Sequence, residues 1–404
     1  MATDLSTILG NLKRVYGDYV ARQQNLKHRA MDEIAKSLKK YNPGGEGFFG
    51  SINDYGNEAG GAQNETESFR TIDNENYQQY KVSPKVIAWP IEFSGLVAKA
   101  ADQDEEAFVA AVVDALDMAK ERMLKDENRQ FFGMGTGLLA KPAGAVLAAA
   151  TSFSVDTTQY LRDNMVVDIF NGSTKTVDSR RIIRVNRQTN QIEFASAIGS
   201  NLATTDEIVK ENIRDSAPAD GKEMMGLRGI VDDGTDLATF ENLNVANNPI
   251  WRGVRIDAGA ANLTSDLLQR LLDDVEVLGG SEPDRLAMHK KQRRKYLDLA
   301  VPKKRYMVSD GEDEGFVKLS FNGIELWLDN DCQIDTVYAL SSKHLQKYEV
   351  APIAMGGHDG SDQFLRKVNA DVFQAYWRHY CNFGSDKRNA HGKLVNLAAP
   401  SGLS

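Results

Sequence analysis

The chain has 404 residues, 42% of them hydrophobic, enough for a large core and for two or three domains. Its 48 Lys+Arg against 57 Asp+Glu give a formal charge of -9, which on average repels nucleic acid and argues against a general DNA binder. Two cysteines, Cys332 and Cys381, are too few for a disulfide framework or a structural zinc site and read as plain thiols in a reducing compartment.

No charged-then-apolar profile of a secretory signal opens the chain. The most apolar stretch, LLAKPAGAVLAAA, is cut by Lys141 and Pro142 well short of a membrane span. A soluble protein that starts in the cytoplasm is expected, with no membrane partner, and the sequons at Asn64, Asn171 and Asn262 are then chance matches.

In chain order, Leu5, Ile8, Leu9, Leu12, Val15, Tyr16 and Tyr19 recur at helical spacing, and Leu26, Met31, Ile34 and Leu38 continue the pattern. This predicts an amphipathic arm. Residues 1–41 carry a local charge of +4, leaving about -13 for the rest, an asymmetry that suits head-to-tail contact between copies as well as a merely solvated helix face. Residues 42–80 hold only Ile52 and Ile72 as aliphatic side chains and cannot build a core alone. Such a stretch is either a disordered linker or a flap that orders against a partner. Its aromatics, Phe48, Phe49, Tyr55, Phe69, Tyr77 and Tyr80, favour the flap, because they are costly to leave in water and suit interface anchors. With Leu5, Leu9, Leu12 and Tyr16 of the arm, they are the candidate subunit-contact residues. The run KVSPKVIAWPIEFS then alternates like a strand returning to the body.

Asp102 and Glu105 form a capping-box-like start, and no Gly or Pro follows until Gly133, which predicts the longest helix of the chain. SRRIIRVNRQTNQIEFASAI reads as two strands around a polar turn and TDEIVKEN as a third, a small β insertion over 165–217. Ser265 ahead of Leu267, Leu268, Leu271, Leu272, Val275 and Leu278, with Gly279 and Gly280 behind, predicts another helix. Pro283 suits the first turn of a basic helix that runs through Lys290, Lys291, Arg293, Arg294 and Lys295 toward Lys303, Lys304 and Arg305. That basic face fits a subunit contact or solvent better than DNA. Asn322-Gly323 between FVKLSF and IELWL is a strong hairpin signal, and TVYAL adds a strand. Phe373, Tyr376, Trp377, Tyr380 and Phe383 form a dense aromatic segment expected in the core.

Motifs for chemistry are absent. GMGTG at 133–137 follows a helix rather than a strand and lacks the third glycine spacing of a dinucleotide fingerprint. There is no GxxxxGK[ST], HExxH or GxSxG string. His358 beside Asp359 and Asp362 fits a polar Gly-Asp turn better than a metal site, and DNDCQID around Asp329 and Asp331 has Ile334 where a calcium loop needs glycine. No catalytic, cofactor-binding or metal residue is assigned, and no enzyme activity is expected.

Three strings in order, RQFFGMGTGLLA at 129–140, EMMGLRGIVDDGTDLATFENLNVANNPIWRG at 223–253 and DRLAMHKKQRRKYLDL followed by FNGIELWLDNDCQIDTVYAL, together with the terminal RNAHGKLVNL, resemble the major capsid proteins of tailed bacteriophages. The resemblance spans nearly the whole chain and implies an α+β, Hong Kong 97-type capsid fold. Implied are an N-terminal arm at 1–45, an extended loop at 46–95, a spine helix opening the peripheral domain at 96–140, an axial portion carrying the insertion at 141–260, and the remaining axial and peripheral domain at 261–404. Also implied are hexamers and pentamers in an icosahedral shell around double-stranded DNA that is not bound sequence-specifically, with assembly in host cytoplasm and residence in the virion. The arm is too short to hold a self-cleaved scaffolding segment, so a separate scaffolding protein and a portal are the expected partners. Some relatives crosslink through a loop lysine, a role for which Lys81 or Lys85 is the candidate here, and no motif identifies its partner. The alternatives are an encapsulin-like compartment of the same fold and a metal-dependent hydrolase using His358 and Asp359.

Overall fold

The computed structural model describes residues 38–40, 47–55, 61–66, 68, 71, 75–94, 105–216, 221–300, 320–355, 365–367 and 369–399. The first elements are β1 (Leu38–Lys40), β2 (Phe48–Tyr55), β3 (Asn76–Val82), β4 (Lys85–Ser94) and the long helix α1 (Glu105–Phe131). β5 (Leu138–Ala140), β6 (Ser152–Ser154), β7 (Val166–Asn171), β8 (Thr174–Asn186), β9 (Gln191–Phe194) and β10 (Glu207–Lys210) precede a single helical turn, α2 (Leu227–Ile230). After the short pair β11 (Thr239–Phe240) and β12 (Leu243–Asn244), β13 (Val254–Asp257) leads into α3 (Ser265–Gly279), and β14 (Arg285–His289) into α4 (Lys290–Ala300). Then come β15 (Ser320–Phe321), β16 (Ile324–Asp329), β17 (Val337–Leu340), β18 (Leu345–Met355), β19 (Leu365–Arg366), β20 (Val372–Ser385) and β21 (Gly392–Val395).

As the uninterrupted stretch predicts, α1 has 27 residues, about 40 Å of rod, and ends just before Gly133. One side of it rests on an antiparallel layer in which β20 pairs with both β18 and β4, extended by β1 beside β18 and β19 beside β20. Trp377 Nε1 donates to the Leu116 carbonyl at 3.0 Å, and Lys120 Nζ lies 5.3 Å from the Trp377 ring. Near the helix end, Lys125 and Asn128 reach the DNDCQID segment: Lys125 Nζ is 2.6 Å from Asp331, and Asn128 Nδ2 is 3.1 Å from Asp329 and 2.6 Å from Asp331. The acidic string is thus a clamp on the helix.

The second unit is the antiparallel sheet β5-β10-β7-β8-β9-β6 with its own core of Val167, Ile169, Ile182, Ile192 and Ile208, where Phe153 stacks on Phe194 at 5.7 Å. The strands expected within 165–217 are present, but the sheet begins at Leu138. β5 and β6, three residues each, carry too little alternation to read and are recruited by pairing.

The third unit is the mixed sheet β13-β21-β17-β14-β16-β15, with α3 and α4 packed on one face. Thr264, one residue earlier than expected, caps α3 by accepting from the Leu267 N–H, and Gly280 ends it at φ 56°. Pro283 does not start a helix. Residues 285–289 form a central strand, parallel to β16 and antiparallel to β17, whose run Leu286, Ala287, Met288 is buried on both faces, so no alternation betrayed it. The predicted Asn322-Gly323 turn joins β15 to β16, with both residues at positive φ, 50° and 82°. In β20, Phe383 is fully buried, whereas Phe373, Tyr376, Trp377 and Tyr380 are half-buried, because this end of the layer is covered on only part of its surface.

Residues 223–253 tie the units together. Gly226 lies so close to the end of α1 that a Cβ there would meet the carbonyl oxygens of Gln130, Phe131 and Gly133 at 2.3, 2.5 and 2.7 Å. Gly226→Ala is therefore expected to lower stability by about 3 kcal/mol in urea denaturation. Gly144→Ala, with nothing within 4 Å of its added carbon, should stay within about 0.5 kcal/mol.

Candidate assembly interface

β2 and β3 form a two-stranded antiparallel hairpin in the register Phe48↔Val82, Gly50↔Tyr80, Ile52↔Gln78. Residues 48–55 and 76–82 are thus ordered strands. The sparse aliphatics suffice because the hairpin borrows the body's core instead of making one. Alternation gives it two unlike faces. Phe48, Ile52, Tyr80 and Val82 point into the central cluster, where Phe48 meets Tyr348 at 5.1 Å and Tyr80 stacks on Trp251 at 5.0 Å. The Tyr80 ring lies across Gly50, where a Cβ would come within 2.2 Å of it. Lys81 N–H donates to the Glu241 carbonyl at 3.0 Å, fixing the hairpin to the β11–β12 turn.

The opposite face exposes Phe49 at 48% and Tyr77 at 61%, with Lys81 Nζ 5.7 Å from the Phe49 ring. Of the expected contact residues, then, Phe49 and Tyr77 are available to a neighbour. Phe48 and Tyr80, 3% and 6% exposed, are corrected to core residues of the subunit itself, since they sit on the inward side of the alternation. Tyr55 ends β2 opposite Asn76, and its side chain lies outside the described residues. Leu5, Leu9, Leu12, Tyr16 and Phe69 also lie outside them, as do His358, Asp359 and Asp362.

What holds this hairpin in place is a buried polar hub with no local sequence signature. Arg388, fully buried, donates Nε to the Ile230 carbonyl at 2.8 Å, Nη1 to Trp251 at 2.7 Å, and Nη2 to Gly229 at 3.1 Å and Asp232 at 2.8 Å. Its guanidinium lies 4.0 Å from the Phe240 ring and 5.8 Å from that of Trp251. Burial pulls Arg388 down to about 10, still charged at neutral pH, and burial raises the nearby Glu241 carboxyl well above its usual range. Lys393 Nζ, also buried, binds Asp232 at 2.8 Å and Asp236 at 3.1 Å. The only hint of the hub in the sequence is the pair of basic residues within the terminal string RNAHGKLVNL, where a solvent-facing end would give no reason to bury them.

A second polar cluster locks α1. Arg129 pairs with Glu223, Nη1 to Oε2 at 3.2 Å, and with Asp126 at 3.1 Å. Burial alone would raise the Asp126 carboxyl, but Arg129 and Lys210 hold it well below the carboxylate range. His379 bridges Glu127 at 2.8 Å and Glu349 at 2.9 Å, joining α1 to β18 and β20. Between the end of α1, the β unit and residues 333–335, a cleft of about 340 Å³ is lined by Arg129, Glu223, Arg228 and Asp335 among others. Of its charged walls, Arg129 is paired with Glu223, and Arg228 reaches out of the cleft to Asp236 at 3.7 Å. Cys332 and Cys381 are buried free thiols pushed up by burial, and no metal-binding group of three is found among the described residues. Among the described residues no helix is long and apolar enough to cross a membrane.

Two imidazoles, His391 buried and His289 half-buried, make stability pH-dependent. Burial, reinforced by His344, lowers His391 to about 3, and its Nδ1 accepts from the Ser341 N–H at 3.2 Å. Burial and the Lys291 ammonium lower His289 to about 4, with Nδ1 accepting from the Lys291 N–H at 3.0 Å. Both must stay neutral in the fold but take up protons near pH 6.5 when unfolded. Their contribution is complete above pH 6.5 and is lost as pH falls through 6.5 toward 4 and 3. A loss on the order of 5 kcal/mol for the two together is expected between pH 7 and 4.5 in thermal melts, with a shallower slope in His391→Gln.

No family model matches the chain, and no curated protein matches it. Solved structures do. The capsid asymmetric unit of cyanophage A-1(L) matches at a TM-score of 0.59 and 11% identity, covering 98% of this chain and 99% of that one. The capsid of a native GTA particle matches at 0.51 and 9% identity, covering 95% of each. The holo-SrpI encapsulin complex from Synechococcus elongatus matches at 0.47 and 9% identity, covering 98% of each. With a mixed α+β body, a long helix laid on a strand layer and a two-faced hairpin rooted in the core, the chain has the fold of phage capsid subunits.

Proposed function

We propose that the chain is a major capsid protein: copies of it assemble into the icosahedral head shell of a tailed phage around double-stranded DNA, without catalysis. The observation that carries this is the fold match over 98% of the chain to a cyanophage capsid subunit. The hairpin adds support. It keeps Phe49 and Tyr77 in water on a strand pair whose other face is sealed, an arrangement that makes sense when a neighbour covers it.

In this reading residues 1–45 are the arm, 46–95 the extended loop, 96–140 the spine and start of the peripheral domain, and 141–260 and 261–404 the interleaved axial and peripheral parts. The rigid polar hubs hold the body and the hairpin rooted in it constant while the contacts between copies adjust, so one sequence supplies both hexamers and pentamers. A separate scaffolding protein and a portal complete the head in the host cytoplasm. The acidic balance of the chain suits a wall that encloses DNA without gripping it. The test is light scattering of the purified protein with negative-stain images of the heaviest fraction, alone and with a co-expressed scaffolding protein. Closed particles, or five- and six-membered rings that close with the scaffold, are expected; a small oligomer under every condition refutes the reading.

A further inference from the structure

The mixed sheet has two edges, β13 and β15, and the two helices on its covered face lie toward opposite edges. α3 packs over β13 and β21, while α4 packs over β14 and β16. Leu268, Leu271 and Leu272 of α3 and Tyr296 of α4 share one cluster with Leu286, Met288, Val337 and Leu394, so both helices are on the same side of the sheet.

Their outer surfaces are opposite in charge. α3 exposes Asp266, Asp273 and Glu276, with Asp274 half-exposed and only the i,i+4 partner Arg270 at 3.7 Å to offset them. Just beyond the helix, Glu282 is exposed as well. The acidic end also carries the largest apolar exposure recorded on either helix, Val277 at 82% and Leu278 at 64%. The buried stripe of α3 ends at Val275 and Gly279, and Leu278 points away from it. α4 exposes Lys290 and Arg294 with half-buried Arg293 and Lys295 against the single exposed carboxylate Asp298; none of the four basic residues forms an ion pair among the described residues, and Leu297 is 36% exposed beside them.

Acidic and apolar over one part of the sheet, basic and apolar over the other: the two surfaces complement each other, and among the described residues no ion pair joins them within one molecule. We infer that the α3 surface of one copy docks on the α4 surface of the next, and that this head-to-tail contact builds the ring of a capsomer. The occupant of each surface is a second copy of this chain. Used one after another, the two surfaces give a heterologous, ring-forming contact; used reciprocally across a two-fold, they would stop at a dimer, and light scattering separates the two outcomes, a dimer overturning the inference. The inference rests on the capsid reading and deepens it by naming the residues through which copies join.

Charge reversal tests it in the full-length chain, with native assembly as reference. One variant carries Lys290→Glu and Arg294→Glu; a second carries Asp273→Lys and Glu276→Lys; a third carries all four. These positions are on the surface, so melting temperatures should stay within about 3 °C of the parent. The first two variants are expected to lose rings and shells at least tenfold in light scattering and negative stain, and the third to regain them. Co-expressing the first with the second should restore six-membered rings but not five-membered ones, because the two must alternate. Unchanged assembly in the one-sided variants overturns the inference while leaving the capsid reading intact. Failure of the four-fold variant to recover overturns it too, as does loss of assembly only when a scaffolding protein is present, which would make the scaffold the occupant. If the parent chain itself never assembles, it is the capsid reading that fails.

Discussion

Arg388→Met is expected to cost on the order of 5 kcal/mol or more, enough to leave little folded subunit in cells. The side chain supplies five N–H donors, and the fold directs them at four backbone carbonyls from two stretches, 229–232 and Trp251. Asp232 keeps the Gly253 N–H at 2.9 Å, but each of the other three carbonyls left dry and unpaired costs about 1–3 kcal/mol, and no water can reach a site where Arg388 is fully buried. The loss spreads, because Trp251 carries Tyr80 and therefore the base of the hairpin. Arg388→Lys keeps the charge but not the fork and should fall about midway, since an ammonium cannot span the same four acceptors. Urea denaturation of the soluble fraction reads both. A shift below about 1 kcal/mol for the methionine variant would mean that the hub is ornamental.

Phe49→Ser combined with Tyr77→Ser is expected to leave the subunit folded and abolish closed shells. Both side chains are on the open face of the hairpin, so monomer stability should change by less than about 1 kcal/mol. At an interface, however, a buried aromatic anchor is worth about 2 kcal/mol or more, and the loss recurs at every contact of the shell. Sedimentation profiles should show shell material reduced at least tenfold while the melting curve is retained. Shells at parental yield would remove the hairpin face from the assembly surface. Cutting out residues 50–80 entirely is a different experiment: it takes Ile52 and Tyr80 out of the central cluster and should yield insoluble chain.

Periodicity and punctuation in the sequence determined the elements that depend on local chemistry. The 27-residue helix follows from a stretch without glycine or proline. The β15–β16 hairpin follows from Asn322-Gly323, the pair that tolerates two successive positive φ values. The end of α3 follows from Gly279 and Gly280, and the overall α+β fold of a capsid subunit was legible in the order of four motif strings. Of the surface residues, the sequence could name the aromatics of the hairpin but not sort them.

Sorting needed tertiary structure. Whether Phe48 or Phe49 faces water depends on the register of β2 against β3 and on the presence of Tyr348 beneath it, which comes from a strand some 300 residues away. β14 looked like the start of a helix because a strand buried on both faces shows no alternation, and only pairing with β16 and β17 reveals it. Arg388 and Lys393 look in sequence like ordinary charges near the end of a strand. Their burial is set by carbonyls and carboxylates from 228–251, brought there by the parallel pairing of β21 with β13. Local patterns encode propensity, which acts over a few residues, whereas burial and polar satisfaction are properties of segments that meet only once the chain is folded.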